Sequence, residues 1–366
     1  MGDGVAAGGA VGGRRLASAR MQPGARARGA RPAPAWPDAL SWLALGSVGC
    51  CWGVSRLVGE SWWAGVLLLY APPILYLVPC LLLLGVVALG RQPAATARGR
   101  LALALTGVAL LDLNVPPPHQ VLLPGRFALR VLVYNVAGGD GGLRSLREPV
   151  QRFRPDLLIF TEAFPRSRFD LQERALGDLL PGWRMVRGGD VLLGTRWPVT
   201  AEERVALGTR INVHDPTVHR ELVRATVQAP FGAFHLVGVH FKKDDGERVL
   251  WQERLLLPYD LEYTASVRMD QARTTAAYLD RLRGPVLLGG DLNTPPGGRS
   301  YGLLRRRLED SFSAAGWGFG HTFPAGTPFY RLDYLFHSRH FATRWCRVGA
   351  PAGSDHRPLE VGLIRS

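Results

Sequence analysis

Asp291 and Asn293 stand two residues apart in "GPVLLGGDLNTPPGG", residues 284–298. The apolar residues 286–288 ahead of them read as a buried strand, and two glycines then turn the chain. Residues two apart in an extended chain point the same way. A carboxylate and an amide can therefore share one pocket where that strand ends. Other apolar stretches finish in the same manner. "VLVYNVAGG" ends in Asn135, "DLLIFTEAF" in Glu162, and "HLVGVHF" carries His240. "RLDYLF" begins with Asp333, and "GSDHRPLEVGLI" puts Asp355 and His356 ahead of the last strand. Taken singly, each has a structural reading: Asn before Gly-Gly is a turn residue, and Asp can cap a helix. Together, carboxylates and amides are the stock of an oxygen-ligand metal site. The two histidines are candidate acids or bases near neutral pH.

The stretches that deliver these groups are short, apolar and bounded by turns. "ALRVLVYNV", "DLLIF", "VLLGT", "LVRATVQA", "FHLVGVHF", "GPVLLGG", "LDYLFH" and "LEVGLI" read as strands. "SVRMDQARTTAAYLDRLR" and "LREPVQRF" carry helical periodicity. Many strands with a few helices over about 240 residues predict an α/β domain of sheet on sheet with outer helices.

The remainder of the chain has a different character. Residues 1–37, rich in Gly, Ala, Arg and Pro, read as a disordered basic tail. Residues 38–115 read as a transmembrane region with spans at about 39–58, 62–89 and 99–115. Residues 62–89 hold no charge at all. A Pro-rich linker, 116–126, separates this region from a domain at 127–366. Arginines in the tail and in the 91–100 loop place both in the cytoplasm, so three spans put the domain outside it. The net charge of +14 divides into +6 for residues 1–124 and +8 for 125–366. Most of the basic side chains are Arg, which suits bidentate contact with phosphate, although an Arg-favouring genome produces the same excess. The four cysteines offer neither a disulfide framework nor a zinc spacing.

The segments "YNV", "DLLIFTE", "GVHF", "GGDLNTPP", "LDYLF" and "SDHRPL" occur in that order over residues 127–366. The set resembles the endonuclease/exonuclease/phosphatase superfamily, the DNase I-like metal-dependent phosphodiesterases. "GWGFGHTFP" is similar to the segment before the late Asp motif in membrane-attached bacterial members. The resemblance implies a four-layer α/β-sandwich, two packed mixed β-sheets flanked by helices, here preceded by N-terminal transmembrane helices. It implies that Glu162, Asn135 and Asp355 lie at a Mg²⁺ site, which Mn²⁺ can also fill. It makes Asp291 the residue that orients or deprotonates the attacking water, and Asn293 the amide that steadies the phosphate. His356 becomes the imidazole at the scissile phosphate, with Asp333 as its partner. His240 becomes a candidate for protonating the leaving oxygen, and Arg224 a structural or substrate-binding, phosphate-proximal cation.

Substrate choice sits in loops, where sequence alone is weakest. Lys242, Lys243 and Trp251 lie in one such loop after His240. The Arg excess favours a nuclease-like activity on nucleic acid, and the membrane region favours a phospholipid or sphingomyelin headgroup, or an inositol phosphate. A catalytically silent membrane-bound binding module on the same fold is the remaining reading. No protein partner is implied.

Overall fold

The computed structural model describes residues 36–71, 107, 113–117, 129–163, 176–208, 220–243 and 257–365. Residues 1–35 of the expected tail, most of the second and third expected spans, nearly all the linker and Trp251 lie outside them.

Two six-stranded sheets form the body. The strands are β1 (Leu129–Asn135), β2 (Leu157–Thr161), β3 (Arg184–Gly188), β4 (Val191–Thr195), β5 (Val199–Ala206) and β6 (Glu221–Ala229). They continue with β7 (Gly232–His240), β8 (Val286–Asp291), β9 (Glu309–Asp310), β10 (Asp333–His337), β11 (Phe341–Val348) and β12 (Leu359–Arg365). One sheet has the order β11-β12-β1-β2-β4-β3 and the other β5-β6-β7-β8-β10-β9. Both are mixed. β1 runs parallel to β2 and β7 parallel to β8, while the other named pairs are antiparallel.

The central strands are apolar at nearly every position because both of their faces are buried. Val131, Val133, Leu157 and Ile159 point between the sheets and meet Ala225, Leu236, Leu287 and Leu335. Their neighbours Leu132, Tyr134, Leu158 and Phe160 point outward onto Leu146, Val150 and Phe153. Those three residues belong to a helix at Gly142–Phe153. On the opposite side Val237, Val239, Leu288 and Phe336 pack against Ala272, Ala276 and Leu279, and against Tyr301 and Leu304. These sit on helices at Leu257–Arg281 and Arg299–Arg305. Helix, sheet, sheet and helix make the four layers of the expected sandwich. Burial of one such aliphatic side chain is worth about 1.5–3 kcal/mol.

The N-terminal segment differs from expectation. In chain order the helices become α1 (Trp36–Leu57), α2 (Trp63–Leu69), α3 (Gly142–Phe153), α4 (Leu257–Arg281), α5 (Arg299–Arg305) and α6 (Ser311–Ala315). Among the described residues no helix is long and apolar enough to cross a membrane. That corrects the expected transmembrane helices as far as the described residues reach. Gly46, Gly49, Gly53, Ser55 and Arg56 dilute the apolarity of α1. α2 has only seven residues, and its apolar side chains serve packing. Val66 is buried against Leu261 and Ala265 of α4, with Trp63 and Tyr70 alongside. Asn114, at the end of the third expected span, pairs its backbone with Gly318, at 2.8 and 3.0 Å.

Candidate active site

Strand register assembles the first part of the site. His240 of β7 stands opposite Asp291 of β8, and Asp291 stands opposite Asp333 of β10. Three functional side chains thus lie side by side on neighbouring strands, which are about 4.8 Å apart in any sheet. The second sheet contributes Asn135 at the end of β1, and Glu162 follows β2 directly. Asp355 and His356 precede β12 on a loop tied to β1, because Ser354 Oγ donates to the Asn135 carbonyl at 2.7 Å. The same hydroxyl accepts from the His356 N–H at 3.1 Å. The packed faces of the two sheets therefore converge on one end of the sandwich.

Tight geometry is required at the turn after β8. Gly290 has φ +138, and a Cβ there would come within 1.9 Å of the Val239 carbonyl oxygen. Glycine is thus needed immediately before Asp291. Glu162 and Asn293 have φ of +54 and +47, in the left-handed region that costs most residues energy. Two of the candidate site residues carry backbone strain that the surrounding sandwich must hold.

Asp291 lies between two imidazoles. Its Oδ2 is 3.8 Å from His240 Nε2 and 3.7 Å from His356 Nε2. Each imidazole has its own aspartate on the far nitrogen. His356 Nδ1 donates to Asp333 at 2.7 Å, and His240 Nδ1 to Asp190 at 2.5 Å. Asn293 fixes the second imidazole further. Its amide nitrogen donates to the Phe241 carbonyl and to His240 Nε2, both at 3.1 Å. His240 Nε2 is consequently an acceptor, with the ring proton on Nδ1. Asn293 also donates its backbone N–H to Asp291 Oδ1 at 2.8 Å. The two-residue spacing read from the sequence is a closed turn, with the carboxylate bonded to the backbone of its neighbour.

The electrostatics separate the two imidazoles from the carboxylate. Burial alone would lower the His356 pKa, but the charges of Asp333 and Asp291 outweigh it and raise it to about 9. His356 is therefore an imidazolium at neutral pH. Burial, and then the charge of Asp333, raise the Asp291 pKa above the ordinary carboxylate value, with His356 and His240 opposing. Asp190 is also buried, yet His240 and Arg220 draw its pKa downward.

Asp190 and Arg220 escaped the sequence reading. Asp190 sits in "GGDVLLGT", an acid just ahead of an apolar run, and that placement was the available signal. Arg220 contacts both Asp190 and His240. Arg224 is engaged with Glu203 at 3.0 Å, with the Tyr278 hydroxyl at 2.7 Å and with Thr226. Of the two roles expected for Arg224, these contacts are those of the structural one. The Asn135 amide oxygen accepts from the Ala137 N–H at 3.0 Å, which turns the nitrogen toward the acids. That nitrogen donates to Glu162 and to Asp291, at 3.0 Å each, so Asn135 bridges the two carboxylates.

The comparisons with known proteins agree with this fold. The model of the "Endonuclease/Exonuclease/phosphatase family" matches residues 132–356, more than half of the chain. The chain belongs to the endonuclease/exonuclease/phosphatase family. A family member from Bacteroides thetaiotaomicron shares 20% identity and a TM-score of 0.51, covering 66% of this chain and 98% of that one. A second, from Bacteroides vulgatus, shares 15% identity and a TM-score of 0.50, covering 66% and 100%. D. rerio TDP2, solved with a single-strand DNA product, shares 16% identity and a TM-score of 0.50, covering 65% and 99%. At these identities the solved structures speak for the fold. No curated protein matches the chain.

Within this family member, the groups available to a metal are oxygens. Glu162 is half-buried and Asp355 exposed, so both acids reach the mouth of the site. Asn135 draws Glu162 and Asp291 to a single amide. A hard divalent cation suits carboxylates of this kind. Asp291, Asp333 and His356 also offer atoms within 4.8 Å of one another. There the His356 Nδ1 is bonded to Asp333, which leaves Nε2 as the atom that His356 can offer.

Proposed function

We propose that the protein is a metal-dependent phosphodiesterase of nuclease-like type, held at the cell membrane. The observation that carries this is the buried carboxylate of Asp291 between two Asp–His pairs, with further acids beside it. In this reading Glu162 and Asp355 would hold Mg²⁺, or Mn²⁺ in its place, which would supply charge neutralisation at the scissile phosphate. Asp291 accepts a proton from the attacking water, helped by its raised pKa. His356, kept protonated by Asp333, is the cation that faces the phosphate. It is also the better acid of the two imidazoles, since Asn293 leaves His240 Nε2 as an acceptor. His240, fixed by Asp190 and Arg220, orients the Asn293 amide toward the substrate side of Asp291.

Two features at the rim favour nucleic acid. Lys243 lies 3.9 Å from Asp355 and 5.7 Å from the Phe323 ring centre. Phe323 is 4.8 Å from the His356 ring. A cation and an aromatic face beside the reacting phosphate suit a backbone and a base. The second reading, a phospholipid headgroup, draws on exposed Trp42, Leu43, Trp52, Leu57 and Trp62 in the N-terminal segment. The uncharged run at 72–89 supports attachment to a bilayer, and the arginines of the 91–100 loop support an extracytoplasmic domain.

The test is turnover by the full chain on plasmid DNA, single-stranded DNA, RNA and phospholipid vesicles, each with Mg²⁺ and with EDTA. Cleavage that EDTA stops and Asp291→Asn abolishes is expected, and the substrate cleaved selects the branch. A folded, Mg²⁺-binding protein that turns over none of these, nor a simple diester, sinks the reading.

A further inference from the structure

The N-terminal segment reaches the site through two residues that no motif of the family domain includes. Glu60 lies in a short 3-10 turn, Gly59–Ser61, between α1 and α2. Its side chain is 1% exposed, although the residue stands more than 200 positions before its partners. It accepts from the Ser300 N–H at 2.8 Å, from Ser300 Oγ at 2.9 Å and from Thr294 Oγ1 at 3.0 Å. Arg268 of α4, itself fully buried, donates to it at 3.4 Å and to the Lys242 carbonyl at 3.3 Å. One carboxylate therefore holds the loop after Asp291 and, through Arg268, the loop after His240.

Tyr70 acts on the same loop from the other end of α2. Its hydroxyl donates to the carbonyl of Asn293, the residue held at positive φ. Its own carbonyl accepts from the Tyr330 hydroxyl, and the two rings lie 6.1 Å apart. Arg268 sits 5.2 Å over the Tyr70 ring and so joins the two anchors. Ordinary packing needs none of this. A buried carboxylate costs free energy unless it is fully bonded, and apolar contact would have closed the same surface.

We infer that Glu60 and Tyr70 are positioning residues, which hold the 291–300 loop so that the Asn293 amide stays aimed at His240 and the substrate. The inference rests on the hydrolytic reading above. It gives the segment that links the domain to its N-terminal region a direct grip on the reacting centre. Neither residue touches substrate. Each acts through the backbone of the loop.

The experiment uses the purified full chain, with bis(p-nitrophenyl) phosphate and Mg²⁺ as the probe. Wild type, Tyr70→Phe, Glu60→Gln and Glu60→Asp are compared for kcat, KM, Tm and amide hydrogen exchange across residues 291–302. Tyr70→Phe removes one hydroxyl and keeps the ring. It is expected to lower kcat about tenfold with KM and Tm unchanged, and to speed exchange in 291–302 about tenfold. Glu60→Gln is expected to lower kcat and speed exchange in the same way, with a lower Tm because the buried Arg268 loses a charge partner, and Glu60→Asp to recover part of kcat. If exchange in 291–302 is unchanged in both Tyr70→Phe and Glu60→Gln, the inference is overturned, whatever the activity. A lower Tm with kcat unchanged also overturns it, because the contacts would then be packing alone. Absence of wild-type turnover refutes the functional reading instead, and the exchange result still decides whether the loop is held.

Discussion

Asp333→Asn tests the electrostatics of the site directly. Asp333 accepts from His356 Nδ1 at 2.7 Å inside a fully buried pair. Burial pulls the His356 pKa down, and the Asp333 and Asp291 charges carry it from 6.5 to about 9. At about 1.4 kcal/mol per pKa step, that rise corresponds to roughly 3 kcal/mol favouring the imidazolium. Asparagine keeps the shape and removes the largest upward contribution, so His356 should titrate below its wild-type value of about 9. The assay is a histidine NMR titration of the metal-free full chain, with the pH–rate profile alongside. In the wild type, activity should rise through the raised pKa of Asp291 and fall through about 9 as His356 loses its proton. In the variant, the alkaline limb should move to lower pH. Stability must follow the same sign. A folded-state pKa raised above the unfolded value stabilises fully below 6.5, and that contribution is lost as pH climbs through about 9. The alkaline loss of stability should shrink in the variant. An imidazole still titrating near 9 in Asp333→Asn would refute the argument, since the largest upward contribution would have been removed without effect.

Other outcomes follow from the same contacts. Asp291→Asn should cut kcat by about 10²–10⁴ while the fold persists, as judged by circular dichroism. Arg220→Ala should lower kcat, whereas Arg224→Ala should leave kcat unchanged and cost at most about 1 kcal/mol by denaturant titration. Gly290→Ala should cost more than about 3 kcal/mol or prevent folding, because its Cβ would collide with the Val239 carbonyl, and thermal melting checks this. A fragment beginning at residue 120 removes the Glu60 carboxylate from the buried Arg268 guanidinium, so it should melt well below the full chain, by about 3–5 kcal/mol of stability.

The sequence by itself determined the elements that carry the chemistry. β1, β2, β4, β7, β8, β10 and β12 are apolar runs because both their faces are buried, and that pattern can be read without a partner. Asn135, Glu162, His240, Asp291 and Asp333 were visible because each stands at the edge of such a run. The exposed edge strand β5, "VTAEERVA", was not, since its charged side chains face water and leave no apolar alternation to find. Pairing across space was equally hidden. Asp190 and Arg220 became His240's partners only when distant parts of the chain came together. The orientation of the Asn135 amide depended on a backbone N–H two residues away in a turn. The apolar residues of α2 read as lipid-facing because hydropathy cannot tell a bilayer from the surface of another helix. Tertiary structure alone decided that Val66 meets α4 and that Glu60 lies buried beneath the 291–300 loop. Its bonds to Thr294, Ser300 and Arg268 exist only after the chain has closed over more than 200 residues, and no local pattern records that closure.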